Sequence, residues 1–179
     1  MTQIGSVYAG ALYSLAKDEG LTETIRAEMA AFDEAFAGEP DFVRLLSAHG
    51  LSTEERLKIL DDSFSGKVHV YLLNFMKILT KKGYMRHFSE CCKAFKKIYN
   101  DDHGILAVQA VTAVPMTDAQ KDKLCAKLGR TTGKKIELFN KVDPSCLGGV
   151  RLDYDGKRVD DTIVNRLDAI ASLLKNTIL

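Results

Sequence analysis

The sequence predicts an α+β protein, with an N-terminal six-helix bundle over residues 1–104 and a small β-α-β-β-β-α domain over residues 105–179. Three observations predict it. Through the first hundred residues, apolar side chains recur every three to four positions, the period of a helix with one buried face. After Gly104 the pattern shifts to short β-branched runs of strand length, one pair of them flanking an Asp-Gly turn. Between the two regimes lies Asn100-Asp101-Asp102-His103-Gly104, a cluster of turn formers that marks the domain boundary.

The first helix carries Ile4, Val7, Tyr8, Ala11, Leu12 and Leu15, and Gly20 stops it. The second runs from about Leu21 to Phe36, through Ile25, Met29 and Phe32, and Gly38 ends it. Pro40 suits the first turn of a short third helix with Phe42, Leu45 and Leu46, which Gly50 ends. Ser52-Thr53-Glu54-Glu55 has the form of a capping box and opens a fourth helix through Leu57, Leu60 and Phe64. The fifth segment, Val68 to Leu79, is apolar on more than one face, with Leu72, Phe75, Met76 and Leu79 on one side and Tyr71, Asn74 and Ile78 on another. A helix of that kind is surrounded, or keeps a face for a partner. Gly83 breaks it, and a sixth helix follows with Phe88, Cys91, Cys92, Phe95, Ile98 and Tyr99.

In the second domain, Ile105 to Val114 reads as a strand that Pro115 ends. Thr117 to Gln120 forms a second capping box ahead of a helix with Leu124 and Leu128, stopped at Gly133. Ile136, Leu138 and Val142 alternate as a second strand. Residues 149–154 and 157–159 flank Asp155-Gly156, a pairing that favours a type I′ hairpin. Asp161-Thr162 then caps a final helix with Ile163, Leu167, Ile170, Leu173 and Leu174.

Composition narrows the function. The net charge of +1 hides a polar distribution: −7 over residues 1–66, +5 over 67–104 and +3 over 105–179. Solvated helix faces account for this, and so do two ends that meet different partners. No apolar run reaches the roughly 18–20 residues needed to span a bilayer. The N-terminus carries no pattern of a signal or transit peptide. Cys91, Cys92, Cys125 and Cys146 have no Cys-x-x-Cys spacing and fit reduced thiols.

Catalytic and metal motifs are weak. Gly129 to Lys135 resembles a phosphate-binding loop, but three residues separate its glycines where four are needed. Lys135 also stands where a hydroxyl should ligate Mg²⁺. A helix C-terminus with a Gly stop explains it better. His87 and Cys91 lie four apart on one helix, but the four ligands of a structural zinc site do not assemble. His49, His69 and His103 read as surface or capping groups. Asp153, Asp155, Asp160 and Asp161 crowd a hairpin without EF-hand spacing and read as turn and cap residues. No cofactor, metal or catalytic residue is expected. Lys81, Lys82, Arg86, Lys93, Lys96 and Lys97 form a basic run interleaved with Phe88, Phe95 and Tyr99. At helical spacing those aromatics fit a core, and the charges fit an acidic protein partner as well as RNA.

These pieces together resemble the delta subunit of F-type ATP synthases, whose mitochondrial relative is the oligomycin sensitivity-conferring protein. The resemblance covers essentially the whole chain. Tyr8-Ala9-Gly10-Ala11-Leu12 is similar to the family's Tyr-Ala-x-Ala-Leu, and Asn74 to Leu79 to its Asn-Phe-Leu-x-Leu-Leu. Residues 105–114, then Pro115-Met116-Thr117 and Gln120, resemble its strand leading to a Leu-Thr-x-x-Gln helix start. Gly133-Lys134-Lys135-Ile136 resembles its Gly-Lys-x-Val. Val142-Asp143-Pro144-Ser145-Cys146-Leu147-Gly148-Gly149-Val150 is close to its Val-Asp-Pro-Ser-Leu-Ile-Gly-Gly-Val and is the most specific match. Asp160-Asp161-Thr162 with Arg166-Leu167 resembles its Asp-Gly-Ser and Arg-Leu. Three departures stand out: Cys146-Leu147 replaces two aliphatics in what reads as a buried strand, Asp161 replaces a common Gly, and Tyr84 stands where an Arg often follows the Gly of the helix 5–6 turn.

The resemblance implies a non-catalytic stator subunit that keeps the catalytic head still against rotary torque. It implies alpha-subunit N-termini as partners of the helical domain and b subunits of the peripheral stalk as partners of the second. It also implies a peripheral position on the cytoplasmic face of a bacterial inner membrane, with contact to the membrane only through the complex. The groove residues it implies are Tyr8, Ala11 and Leu12 on the first helix and Asn74, Phe75 and Ile78 on the fifth. Leu12 and Phe75 fit the core equally well; Tyr8 and Ile78 are the first choices for the groove. Asp143, Gly148, Gly149, Asp160 and Arg166 read as structural residues of turns and caps. The competing classes are a helical RNA binder using the Lys81–Lys97 face, whose affinity would fall steeply with salt, and a small nucleotide-binding enzyme.

Overall fold

The computed structural model describes residues 3–47 and 50–167. The chain divides into two compact units, Met1–Tyr99 and Asn100–Leu179. The division falls in the last turn of a helix, just before the turn cluster at 100–104.

The first unit is built from α1 (Gln3–Asp18), α2 (Thr22–Gly38), α3 (Pro40–Ser47), α4 (Thr53–Phe64), α5 (Val70–Lys81) and α6 (Phe88–Asp102). A 3₁₀ turn at Met85–His87 joins the last two. The capping box at Ser52 is present. Its hydroxyl accepts from the Glu55 N–H at 3.1 Å, and the Glu55 carboxylate accepts from the Ser52 N–H at 2.8 Å. α5 starts two residues later than its apolar run, because His69 caps it. The His69 Nδ1 accepts from the Tyr71 N–H, while the His69 N–H donates to the Glu28 carboxylate of α2 at 3.0 Å.

As its two-sided apolar pattern predicts, α5 is central. It packs against α1, α2 and α4, and it buries Leu72, Leu73, Phe75, Met76 and Leu79. An aromatic cluster of Phe32, Phe36, Phe42, Phe64 and Phe88 ties α2, α3, α4 and α6 together through ring contacts between 5.0 and 6.5 Å. The Thr80 hydroxyl is fully buried on α5 without a hydrogen-bond partner. An isosteric methyl there removes a desolvated polar atom and leaves no cavity. Thr80→Val is therefore expected to raise the stability of this unit by about 1 kcal/mol, read as a higher urea midpoint at unchanged slope.

The second unit carries β1 (Ile105–Thr112), α7 (Asp118–Thr132), β2 (Lys135–Val142), β3 (Val150–Tyr154) and β4 (Lys157–Asp160), with a 3₁₀ turn at Pro144–Cys146. The strand order is β2-β1-β3-β4. β1 and β2 are parallel, joined by α7, and β3 pairs antiparallel to β1 and β4. α7 opens with the second capping box, at Thr117 and Gln120. It packs on the sheet over Val108, Ala110 and Leu152, to which Leu106, Leu124, Leu128, Ile136 and Leu138 add.

β1 ends at Thr112, two residues before the sequence pattern suggests. The Thr112 hydroxyl turns back to the Val114 carbonyl at 2.7 Å, and Pro115 has no N–H to extend a ladder. Asp155 and Gly156 both have positive φ, as the type I′ hairpin requires. Residues 163–167 are helical. Ile170, Leu173 and Leu174, expected on the same helix, lie outside the described residues, as does His49.

Candidate partner-binding groove

Sequence spacing gives α1 an apolar band of Ile4, Tyr8, Ala11 and Leu15, with Val7 beside it. The core of α1 lies on the neighbouring face, where Ala9, Leu12, Tyr13 and Ala16 are buried. The Tyr13 ring meets Phe95 of α6 at 5.3 Å. The apolar band points elsewhere. Tyr8 meets Tyr84, just past the C-terminus of α5, with ring centroids 6.0 Å apart and planes at 71°. Tyr8, in the second turn of α1, therefore lies beside the end of α5.

On α5, Val70, Asn74 and Ile78 follow each other at four-residue spacing and all are exposed. Lys77, on the flank toward α4, is held by Asp61 at 2.6 Å. The result is a surface along α1 and α5 whose exposed members are mostly apolar: Val7 at 63%, Leu15 at 40%, Val70 at 61% and Ile78 at 47%. Single exposed apolar residues are ordinary, but a row of them on adjoining helices is a candidate interaction surface.

The six groove residues named from the sequence fall into two groups. Tyr8 is half-buried, and Ala11, Asn74 and Ile78 are exposed, so all four can touch a partner. Leu12 at 4% and Phe75 at 5% are core residues; Phe75 lies 6.4 Å from the ring of Phe88. Val7, Leu15 and Val70 belong to the same surface and were not singled out by sequence. Their helical spacing was the available signal, but spacing gives a direction and not a depth.

In the second unit, the five motif residues lie in two turns, 143–149 and 160–166, that meet at Gly148 and Gly149. The Asp143 carboxylate accepts from the Ser145 hydroxyl at 2.6 Å and the Ser145 N–H at 3.1 Å. The Asp160 carboxylate accepts from the Thr162 hydroxyl at 2.7 Å and its N–H at 3.1 Å. Thr162, buried, in turn accepts from the Asn165 N–H, and Arg166 pairs with Asp161 at 2.8 Å. So Asp161 has a partner of its own where the family often has Gly. The Gly148 carbonyl accepts from the Ile163 N–H, and Val150 from Asp161. Gly149 is the tight point of this crossing. It sits at φ +80°, and a Cβ there would lie 2.3 Å from the Asp161 carbonyl oxygen. The reading of Cys146-Leu147 as part of a buried strand is corrected: Cys146 is buried in the 3₁₀ turn, and Leu147 is 68% exposed with φ +57°.

Hydrogen bonds from Ser145 and Thr162, hydroxyl first and then N–H, hold the Asp143 and Asp160 carboxyls below the usual carboxylate range. A hydrogen bond from Arg158 does the same for Asp153. Their folded pKa values lie below the unfolded ones, so this stabilisation is present above the carboxylate range and is lost as pH falls through it. The second unit is expected to weaken below about pH 5. Amide exchange of β1 and β3 between pH 7 and pH 3 reads it, and Asp160→Asn should flatten the acid limb.

Elsewhere the chemistry is sparse. The Gly129–Lys135 segment is the last turn of α7, where the Gly133 N–H donates to the Gly129 carbonyl, followed by the start of β2. It does not lead from strand into helix, as a phosphate loop does. Burial pushes the Cys91 thiol up to about 11, and the Cys92 thiol higher still. Both are poor ligands and nucleophiles. Among the described residues no group of three or more His, Cys, Asp or Glu side chains gathers to hold a metal. Phe88, Phe95 and Tyr99 on the lysine-rich helix are buried, so that face offers charge without a stacking surface. Among the described residues no helix is long and apolar enough to cross a membrane.

The family model for the ATP synthase delta (OSCP) subunit matches residues 4–174. The chain belongs to this family. The delta subunit of Alkaliphilus oremlandii is 32% identical over 160 residues, covering 89% of each chain. That of Leuconostoc citreum is 29% identical over 168 residues, covering 93% of each. A chain of the Toxoplasma gondii mitochondrial ATP synthase hexamer shares the fold at TM-score 0.76 and 18% identity, over 97% of this chain and 98% of that one. The resemblance drawn from the sequence motifs is thus correct. The exposed apolar band on α1 and α5 is the surface of this chain on which partner binding can be tested.

Proposed function

We propose that the chain is the non-catalytic stator subunit of an F-type ATP synthase. Its helical unit, residues 1–104, binds the N-terminal segments of alpha subunits on the catalytic head. Its second domain, residues 105–179, holds the b subunits of the peripheral stalk. The head is thereby kept from turning with the central shaft. The enzyme acts at the cytoplasmic face of a bacterial inner membrane, which this subunit reaches only through its partners. The delta subunits from bacterial relatives support the setting.

The exposed apolar band on α1 and α5 carries the reading. An amphipathic partner helix lays apolar anchors into such a groove at spacings of three and four residues. Tyr8, Ala11, Asn74 and Ile78 are its contacts, with Val7, Leu15 and Val70 widening it. Leu12 and Phe75 support it from below.

Calorimetric titration of the whole chain with a synthetic alpha-subunit N-terminal peptide tests this. One-to-one binding that persists in high salt is expected, because burial of apolar anchors is not screened. Affinity falling steeply with salt, or equal affinity for single-stranded RNA, would point to the basic Lys81–Lys97 face instead.

A further inference from the structure

We infer that two copies of the chain pair edge to edge through β2, about a two-fold axis at Phe139, so that their four-stranded sheets join into one continuous sheet. This surface belongs to the second unit and does not rest on the α1–α5 reading.

β2 is an edge strand that the usual safeguards do not blunt. It stands at one end of the order β2-β1-β3-β4 and runs 8 residues, Lys135–Val142, in unbroken register with β1. It holds no Pro and no bulge, two common devices against stray pairing. The opposite edge, β4, has only 4 residues. The Lys135 N–H donates to the Gly104 carbonyl at 2.9 Å, and the Asp143 N–H to the Thr112 carbonyl at 2.8 Å. Odd-numbered residues of this strand therefore turn their peptide groups toward β1. Ile136, Leu138, Asn140 and Val142 turn theirs outward, where no strand meets them among the described residues. The result is about 26 Å of open ladder. Phe139 at 47% and Val142 at 41% exposure make the edge apolar as well.

The register follows from symmetry. Two strands related by a two-fold run antiparallel, and each residue meets the one equally far beyond the axis. With the axis at Phe139, the outward residues meet one another: Ile136 faces Val142 of the second copy, and Leu138 faces Asn140. Those pairs close the ladder hydrogen bonds. On the sheet face away from α7, Phe139 faces Phe139, Glu137 faces Lys141, and Lys135 faces Asp143. Every charge on that face thus meets its opposite, and does so twice. The neighbouring axes fail on the same residues. An axis at Leu138 sets Lys135 against Lys141, and one at Asn140 sets Glu137 against Asp143. Axes at Glu137 and Lys141 set each of those against itself. Lysines on an edge strand normally keep it solitary; here they select one register.

The test is sedimentation velocity of the full chain over a concentration series, for the parent, Glu137→Lys, Lys141→Glu and the double variant. The parent is expected in monomer–dimer exchange at micromolar concentration. Each single reversal puts two like-charge pairs into the interface and should weaken the dimer about ten-fold. The double reversal restores opposite charges and should return to within about three-fold of the parent, a rescue that damage to the fold would not give. Amide exchange at high against low concentration should show added protection at Ile136, Leu138, Asn140 and Val142. Phe139→Cys gives a readout that does not depend on affinity. Residues opposed in a non-hydrogen-bonded pair lie about 4.5 Å apart at Cα, within disulfide reach, so oxidised glutathione should link two chains through position 139. The parent, with Cys91, Cys92 and Cys146 buried, is the control. A parent that stays monomeric at millimolar concentration, a dimer indifferent to the reversals, or a dimer whose protected amides lie elsewhere overturns the inference. So does a monomer whose four outward β2 amides are shielded only by an added b-subunit fragment, which would give the edge to an extended strand of that partner.

Discussion

Replacing Gly149 with Ala is expected to cost the second unit on the order of 3 kcal/mol. Two penalties combine. The residue sits at φ +80°, where an L side chain is strained. The added methyl would also meet backbone: the Asp161 carbonyl oxygen at 2.3 Å and the Thr162 Cα at 2.9 Å. Neither can yield as a side-chain tip does, because Asp161 is bonded to Val150 and Thr162 to Asp160. Gly148 provides the contrast: its added Cβ would meet only the flexible end of Ile163, at 2.8 Å. For a unit of this size the Gly149→Ala loss lowers the melting temperature by about 15 °C. Amide exchange should report it in β1 and β3 and leave α5 unchanged. A shift of less than about 2 °C would mean that the crossing relaxes freely, contrary to the geometry described.

Ile78→Asp is expected to weaken alpha-peptide binding by about a hundred-fold or more while the chain stays folded. Ile78 is 47% exposed, so a carboxylate there stays hydrated in the free protein and costs little stability. In the complex the same carboxylate is forced against apolar anchors without a partner. Phe75→Ala separates core from groove. At 5% exposure it should lower the melting temperature first, and affect binding only through the loss of fold. Unchanged affinity in a folded Ile78→Asp chain would remove α5 from the interface.

The features legible in the sequence are those set by local chemistry. Ser52 with Glu55, and Thr117 with Gln120, signal helix starts because each cap closes within three residues. Asp155-Gly156 signals its hairpin because few other pairs tolerate two positive φ angles. The two-sided apolar pattern of α5 places it at the centre. Depth and long-range contact were not legible. Leu12 and Ala11 adjoin on α1, yet one is core and the other surface, because burial depends on where α5 and α6 pack. Phe75 and Ile78 divide in the same way. The meeting of Tyr8 with Tyr84 joins residues far apart in the chain, so no local spacing announces it. The family motif around Gly149 marked the residue, but the reason lies in Asp161 and Thr162, which cross it from the far side of a hairpin.

The most direct test of the stator role is whether one copy of the chain holds head and stalk at the same time. A catalytic head lacking this subunit would be mixed with the chain and with the soluble part of the b subunits, and the species present measured by analytical ultracentrifugation. The stator role predicts a complex containing head, chain and b subunits, lost when Ile78→Asp replaces the parent chain. Head and b subunits that compete for the chain, or a head that sediments without it, would contradict that role.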